Sequence, residues 1–343
     1  MNKTIVKNEQ PDISIIIPVY NGERYIHRCL DSIIVQGNVS FEIIVVNDGS
    51  IDSSIIILEE YQNSYPNIIK IISQKNGGIA NARNNGIKEI KGKYLMFMDQ
   101  DDYIDPDYLF TLFSQIENGH FDVILSGCRM VDSSNAIRRV WRLDDSMDAK
   151  EGAKYKIMAP WAKIYRTDLI KNNNVEFFDN NIGEDIVFNI RVYSVTQNIK
   201  VIDYIGYNWY LNCDSFSHTA QIGLRLNFIS LIEELLGYVI NDGKKDIYME
   251  YFIFKRICEY LIKNGRGGDK DIFLKNYIEL MNWIKKNLPD YHKNYYLFHI
   301  LKGADTKAQI VVTMFYIIHR LNLVKPFASA YCRPWALKCI KNH

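Results

Sequence analysis

The sequence predicts an α/β protein: a mostly parallel sheet flanked by helices over residues 1–218, followed by a helical region over residues 219–343. Three observations predict it. Between Ile13 and Met98, short continuous apolar runs alternate with stretches of helical spacing, the pattern of strands buried on both faces and joined by helical crossovers. Each of these runs ends in a polar cluster, YNGE, NDGS, QKNGG and DQDD, at the strand ends where open parallel sheets bind ligands. From about Thr219 the apolar positions settle into helical spacing, as in LRLNFISLIEELLGYVI.

Taken in order, ISIIIPV (Ile13 to Val19) is the first strand, and Ile26, Leu30, Ile33 and Ile34 mark the helix after it. FEIIVV is the second strand, followed by helical spacing over Ile55 to Leu58; NIIKII is the third, followed by Ile79 to Ile90; YLMFM is the fourth. The stretch from about Asp122 to Ser217 is mixed, with a strand-like DVILSG, the segment APWAKIYRTDLI, the acidic cluster IGEDIVFNI, and VIDYIGYNWY. The helical region is broken by NGRGGDK. No internal repeat or long low-complexity linker is present.

Composition sets limits on function. A formal net charge of +1 argues against a nucleic-acid-binding protein. Cys29, Cys128, Cys213, Cys258, Cys332 and Cys339 lack metal-ligand spacing and read as reduced thiols. The polar start MNKTIVKNEQPD has no apolar core of a signal peptide, and the apolar run Ile310 to Ile318 is too short to span a bilayer, so a cytoplasmic protein is expected.

Several segments carry chemistry. Asp99, Asp101, Asp102 and Asp105 follow directly on an apolar strand. One Asp there is an ordinary turn residue, but four carboxylates in seven residues repel one another, and a hard divalent cation with oxygen ligands relieves that repulsion. VNDGSIDSS offers Asp48 as an acceptor for an imide N–H, and reads equally as a βα turn capped by Asp52 or Ser53. NGGIANARNNGI lacks the G-x-G-x-x-G spacing of a dinucleotide loop and follows the third strand, so an oxidoreductase is disfavoured. Glu184 and Asp185 open an apolar helix, where acids also interact favourably with the helix dipole. After His319 the chain has Arg320, Lys325, Arg333, Lys338 and Lys341 interleaved with Phe327, Tyr331, Trp335 and Leu337. That is the composition of an element on an anionic membrane surface, or of a packed terminal helix with a solvated basic face.

Read together, SIIIPVYN, VVNDGSIDSS, NGGIANARNNGI, MDQDD, WAKIYR and GEDIVF resemble, in order and spacing, the motifs of an inverting family 2 glycosyltransferase of GT-A fold, of the bacterial surface-polysaccharide type. The resemblance covers roughly residues 13–218. It implies a Rossmann-like catalytic domain and a contact between Asp48 and uracil, with Pro18 and Tyr20 of PVYN against the base. It further implies nucleotide or donor contacts from Arg83, Asp99, Gln100 and Asp101, with Asp101 and Asp99 holding a divalent cation, Mn²⁺ or Mg²⁺. Asp185 is implied as the general base, with Glu184 beside it at the acceptor mouth. Trp161, Lys163, Ser215, Ser217 and His218 are implied acceptor or diphosphate contacts, although Cys213 and Asp214 depart from the usual pattern of that last loop. The implied reaction moves a hexose-type sugar from a nucleotide diphosphate, UDP above all, to a hydroxyl of a lipid-linked glycan. Rival expectations are a catalytically silent nucleotide-sugar-binding scaffold, which has no need of all four of Asp99, Asp101, Asp185 and Arg83, and a glycoside hydrolase, which has no need of a nucleotide site.

Overall fold

The computed structural model describes residues 10–143, 153–180, 182–212, 225–241, 244–300 and 306–333. The chain divides into two compact units, Met1–Asp214 and Ser215–His343. The boundary expected near residue 218 lies within 213–224, outside the described residues.

In the first unit the four expected strands are β1 (Ile13–Val19), β2 (Phe41–Asn47), β3 (Ile69–Ser73) and β4 (Tyr94–Phe97). They pair in parallel in the order β3-β2-β1-β4. Between them run α1 (Ile26–Ile34), α2 (Ser54–Ser64) and α3 (Ile79–Glu89). α1 packs through one face because Ile26, Cys29, Leu30 and Ile33 share it and are buried. Each such aliphatic side chain contributes about 1.5–3 kcal/mol on full burial.

The order reverses at β1, with β2 and β3 on one side and β4 on the other. The β1–β2 pairing continues to Val19↔Asn47, but the β1–β4 pairing ends at Ile16↔Phe97. Pro18, which has no N–H to offer a neighbour, lies just past that end. The strand ends therefore part at a topological switch point, the ligand crevice of open α/β sheets.

Beyond β4 the sheet becomes mixed. It continues through β8 (Lys163–Arg166), β6 (Val123–Val131), β9 (Ile199–Tyr210) and β5 (Tyr103–Ile104), with β7 (Ile137–Trp141) paired to β6. β8 is antiparallel to both β4 and β6, whereas β6 and β9 are parallel. Helices α4 (Tyr108–Gly119), α5 (Thr167–Asn172) and α6 (Glu184–Val195) complete the unit.

The second unit contains α7 (Arg225–Leu236), a short ladder of β10 (Ile240–Asn241) with β11 (Lys244–Lys245), and then α8 (Ile247–Gly265), α9 (Lys270–Asn287), α10 (Thr306–Arg320) and α11 (Val324–Tyr331). Asp246 and Asp269 cap α8 and α9 by accepting backbone N–H bonds from Met249 and from Asp271 and Ile272. The Phe228 ring on α7 stacks on Tyr260 of α8 at 4.0 Å. His319 of α10 sits between the Tyr277 and Tyr291 hydroxyls at 2.7 and 2.9 Å.

The aromatic residues read from the tail as membrane-facing are packed inward where described. Phe327 and Tyr331 stack on each other, Phe327 meets Phe273 of α9, and the Tyr331 hydroxyl donates to the Ile262 carbonyl at 3.0 Å. Trp335 and Leu337 lie outside the described residues. No described helix is long and apolar enough to cross a membrane. Cys29, Cys128, Cys258 and Cys332 are buried and unpaired.

Candidate functional site

The strand-end clusters of β1, β2, β3 and β4 meet at the crevice. Asp48, just after β2, is buried, and its carboxylate accepts N–H bonds from Gly77 (2.7 Å) and Gly78 (2.9 Å) and from the Gln74 amide (2.8 Å). These donors fix the orientation of the carboxylate and leave it acceptor capacity. The next residue, Gly49, has φ +72°, and a Cβ there would stand 2.8 Å from the Asn76 nitrogen, so only glycine lets the two loops approach.

Tyr20, at the end of β1, keeps 45% of its surface exposed. Its backbone is clasped by Gln100, whose Oε1 accepts from the Tyr20 N–H (2.9 Å) and whose Nε2 donates to the Tyr20 carbonyl (3.1 Å). Gln100 thus ties the acidic turn after β4 to the end of β1.

Arg83, on the first turns of α3, is only 2% exposed. Its Nη2 donates to Asp99 Oδ1 at 2.7 Å and its Nη1 to Glu184 Oε1 at 3.4 Å, while the guanidinium lies over the Phe177 ring. Burial opposes the charge, but Asp99 and Glu184 more than offset it and raise the Arg83 pKa. Glu184, largely desolvated and next to Asp185, is pushed up to about 7 despite the arginine. Asp185 occupies the first turn of α6, entered through Gly183 at φ 74°, and its Oδ1 accepts the Ile186 N–H at 2.8 Å.

Asp101 is pushed up to about 6 by burial and by the neighbouring Asp99 charge. Asn212 donates to its Oδ2 at 3.3 Å, and Arg28 donates to its carbonyl at 2.7 Å from a position over the Tyr103 and Tyr210 rings. Asp102 is fully buried and structural: the Tyr207 hydroxyl (2.6 Å) and the Tyr210 N–H (2.8 Å) both donate to it, and burial raises its pKa. Asp105 opens the turn that its Asp-Pro context suggests, its carbonyl accepting the Tyr108 N–H at 3.1 Å, and its carboxylate also pairs with Arg129 and accepts from Asn208 at 3.0 Å.

Trp161 and Lys163 turn inward. The Trp161 ring is buried and stacks on Tyr207 at 4.7 Å and 4°. Lys163 is buried, its Nζ donates to the Ile157 (2.8 Å) and Ala159 (2.5 Å) carbonyls, and burial lowers its pKa to about 7. Ser215, Ser217 and His218 lie outside the described residues.

With this geometry in place, residues 14–178 match the profile of Glycosyl transferase family 2. That segment is a glycosyltransferase family 2 domain. The matched segment contains Asp48, Asp99, Gln100 and Asp101, whereas Glu184 and Asp185 lie beyond it.

Among curated relatives, the chain is 28% identical over 271 residues to "Glycosyltransferase GlyA" of Streptococcus pneumoniae, covering 75% of this chain and 38% of that one. It is 34% identical over 208 residues to "Uncharacterized glycosyltransferase EpsJ" of Bacillus subtilis, covering 56% and 59%. The chain thus spans less than two thirds of the length of these relatives. The fold is that of Staphylococcus aureus TarS 1-349 in complex with UDP-GlcNAc, with a TM-score of 0.61 at 23% identity over 91% of this chain and 92% of that one.

Several residues that shape the crevice escape a reading of motifs: Arg28, Tyr207 and Asn212. The alternation in GYNWY carries a partial signal, since Tyr207 and Trp209 share one face of β9 and Asn208 the other.

Asp99 and Asp101 suit a divalent cation. Two acids held close, one pushed up to about 6 by burial and its neighbour, are relieved by a cation. Among the described residues no group of three or more His, Cys, Asp or Glu forms a complete cage, so such an ion would draw its remaining ligands from diphosphate oxygens and water. A carboxyl near 6 in the folded chain, against about 4 unfolded, costs stability as pH rises from about 4, and the cost is complete above about 6. A cation removes that cost and needs the ionised form. The Tm increase produced by Mn²⁺ is therefore expected to be large at about pH 7.5 and to vanish towards about pH 5; a pH-independent increase excludes Asp101 as a ligand.

Proposed function

We propose that the chain is an inverting, metal-dependent glycosyltransferase that moves a hexose-type sugar from a UDP-linked donor to a hydroxyl of a growing glycan. The observation that carries this reading is the convergence, through one buried arginine, of Asp99 at the end of β4 and Glu184 at the start of α6, with Asp101 and Asp185 as their chain neighbours. That arrangement supports a leaving-group side, Asp99 and Asp101, and an acceptor side, Asp185, in one crevice. The UDP-GlcNAc complex of the similarly folded TarS supports a UDP-sugar donor.

In this reading the exposed Tyr20 ring packs on uracil, and Asp48, oriented by the Gly77 and Gly78 amides, accepts the uracil imide proton. Asp101 and Asp99 hold the cation, which when bound offsets the charge that develops on the departing diphosphate. Arg83 keeps Asp99 and Glu184 in place. Asp185 takes the proton of the acceptor hydroxyl as it attacks the anomeric carbon from the face opposite the diphosphate. The acceptor fitting a surface-polysaccharide enzyme is a lipid-linked oligosaccharide. That acceptor brings the enzyme to the inner face of the cell membrane, where the basic C-terminal sequence meets anionic lipid.

A thermal-shift panel of nucleotides and nucleotide sugars with Mn²⁺ or Mg²⁺ tests the donor assignment. UDP at about 100 times its dissociation constant should add roughly 2.7 kcal/mol of stability. Tyr20→Ala should weaken UDP about tenfold, within the 1–3 kcal/mol of base stacking, and Asp48→Ala should weaken it as well. Parental UDP affinity in both variants overturns the nucleotide assignment.

A further inference from the structure

α10 has apolar residues on two opposite sides. Val312, Phe315 and Tyr316, with Gln309, are buried within the second unit. On the other side Ile310, Met314 and Ile317, continued by Leu321 in the turn that follows, are exposed. Their spacing of four, three and four residues makes a single helical stripe, and Leu321 stays in register because its N–H donates to the Ile317 carbonyl at 3.0 Å. Met314 is 58% and Leu321 62% exposed. A continuous apolar stripe left in water marks a docking surface.

The charges around the stripe select its occupant. Lys307 precedes it, and Arg320, Lys325 and Arg333 follow it, all exposed. From residue 306 to 343 the sequence contains six Lys or Arg and no Asp or Glu. An apolar stripe on a segment whose charged residues are all basic is complementary to an anionic lipid surface, where alkyl side chains enter the boundary between headgroups and acyl chains and cations meet phosphates. A second copy of the same basic surface would place like charges opposite each other.

We propose that α10 lies in the plane of an anionic membrane, with Ile310, Met314, Ile317 and Leu321 inserted and Lys307, Arg320 and Lys325 at the lipid phosphates. The proposal rests on the reading that the enzyme works at a membrane surface, and it assigns the contact to an apolar helix face in place of the aromatic residues of the tail.

The test uses the full chain and vesicles of phosphatidylcholine with and without phosphatidylglycerol. The parent should sediment with phosphatidylglycerol vesicles and retain part of that binding at about 0.5 M salt, where charge attraction is screened but insertion is not. The triple variant Ile310→Ser, Met314→Ser, Ile317→Ser should bind about 100-fold more weakly and lose the salt-resistant part. Arg320→Gln with Lys325→Gln should lose much of the salt-sensitive part and keep the salt-resistant part. Because the triple variant can fail to fold, Met314→Trp provides a second reading: its emission should shift to the blue on vesicles and be quenched by brominated lipid.

Parental binding by a folded triple variant, or a Met314→Trp signal that ignores the lipid, overturns the α10 assignment while leaving a purely electrostatic tail contact. Absence of parental binding to any vesicle overturns the membrane reading as well. A parent that is dimeric without lipid and becomes monomeric in the triple variant, with no vesicle binding, assigns the stripe to a second copy.

Discussion

Asp185→Asn is expected to lower sugar transfer by about 10² to 10⁴, the range of a lost general base, with UDP-sugar and cation affinities near those of the parent. The amide keeps the size of the side chain and an oxygen for the Ile186 N–H at 2.8 Å, so the start of α6 should persist. What it removes is basicity on the acceptor side. Glu184→Gln should be milder. Glu184 is already pushed up to about 7 and lies 3.4 Å from Arg83, which is held more closely by Asp99 at 2.7 Å. Measuring transfer to an identified acceptor beside UDP-sugar affinity separates the two roles. Parental transfer by Asp185→Asn, or a product that keeps the donor's anomeric configuration, excludes inversion through this single base.

Asp101→Asn is expected to reduce turnover by about 10³, the scale of several kcal/mol of cation stabilisation of the leaving group, and to abolish the Mn²⁺-induced rise in Tm. The metal-free variant should be at least as stable as the parent. Burial and the Asp99 charge both oppose ionisation of Asp101, and a neutral amide escapes both. An inactive variant with a raised Tm thus differs from one that is inactive because it unfolds. Full activity of the parent in excess chelator excludes the cation role altogether.

The four parallel strands, their connecting helices and the polar residues at their ends were legible in the sequence, because apolar runs and helical spacing are local signals. So were Asp48, Asp99, Asp101, Glu184 and Asp185 as site candidates, since each sits at a strand end or helix start that its own neighbours define. The mixed half of the sheet was not. β8 is antiparallel to both of its neighbours while β6 and β9 are parallel, and nothing within a strand states its partner.

Arg83 and Glu184 are 101 residues apart, and only folding brings the two to 3.4 Å and buries the guanidinium that a motif reading places on the nucleotide. The sequence offers Trp161 as a sugar-stacking ring or a core residue and Lys163 as a charge near acceptor or phosphate, and in the fold Tyr207 and the carbonyls of Ile157 and Ala159 hold both inward. α10 makes the same point on the surface. Its sequence is apolar nearly all round, so periodicity cannot say which side is covered. The neighbouring helices cover Val312 and Phe315 and leave Met314 and Ile317 in water. A residue's chemistry is set by its own atoms, but its exposure, its partner and the proton it holds depend on groups delivered by distant parts of the chain, and only tertiary packing supplies those.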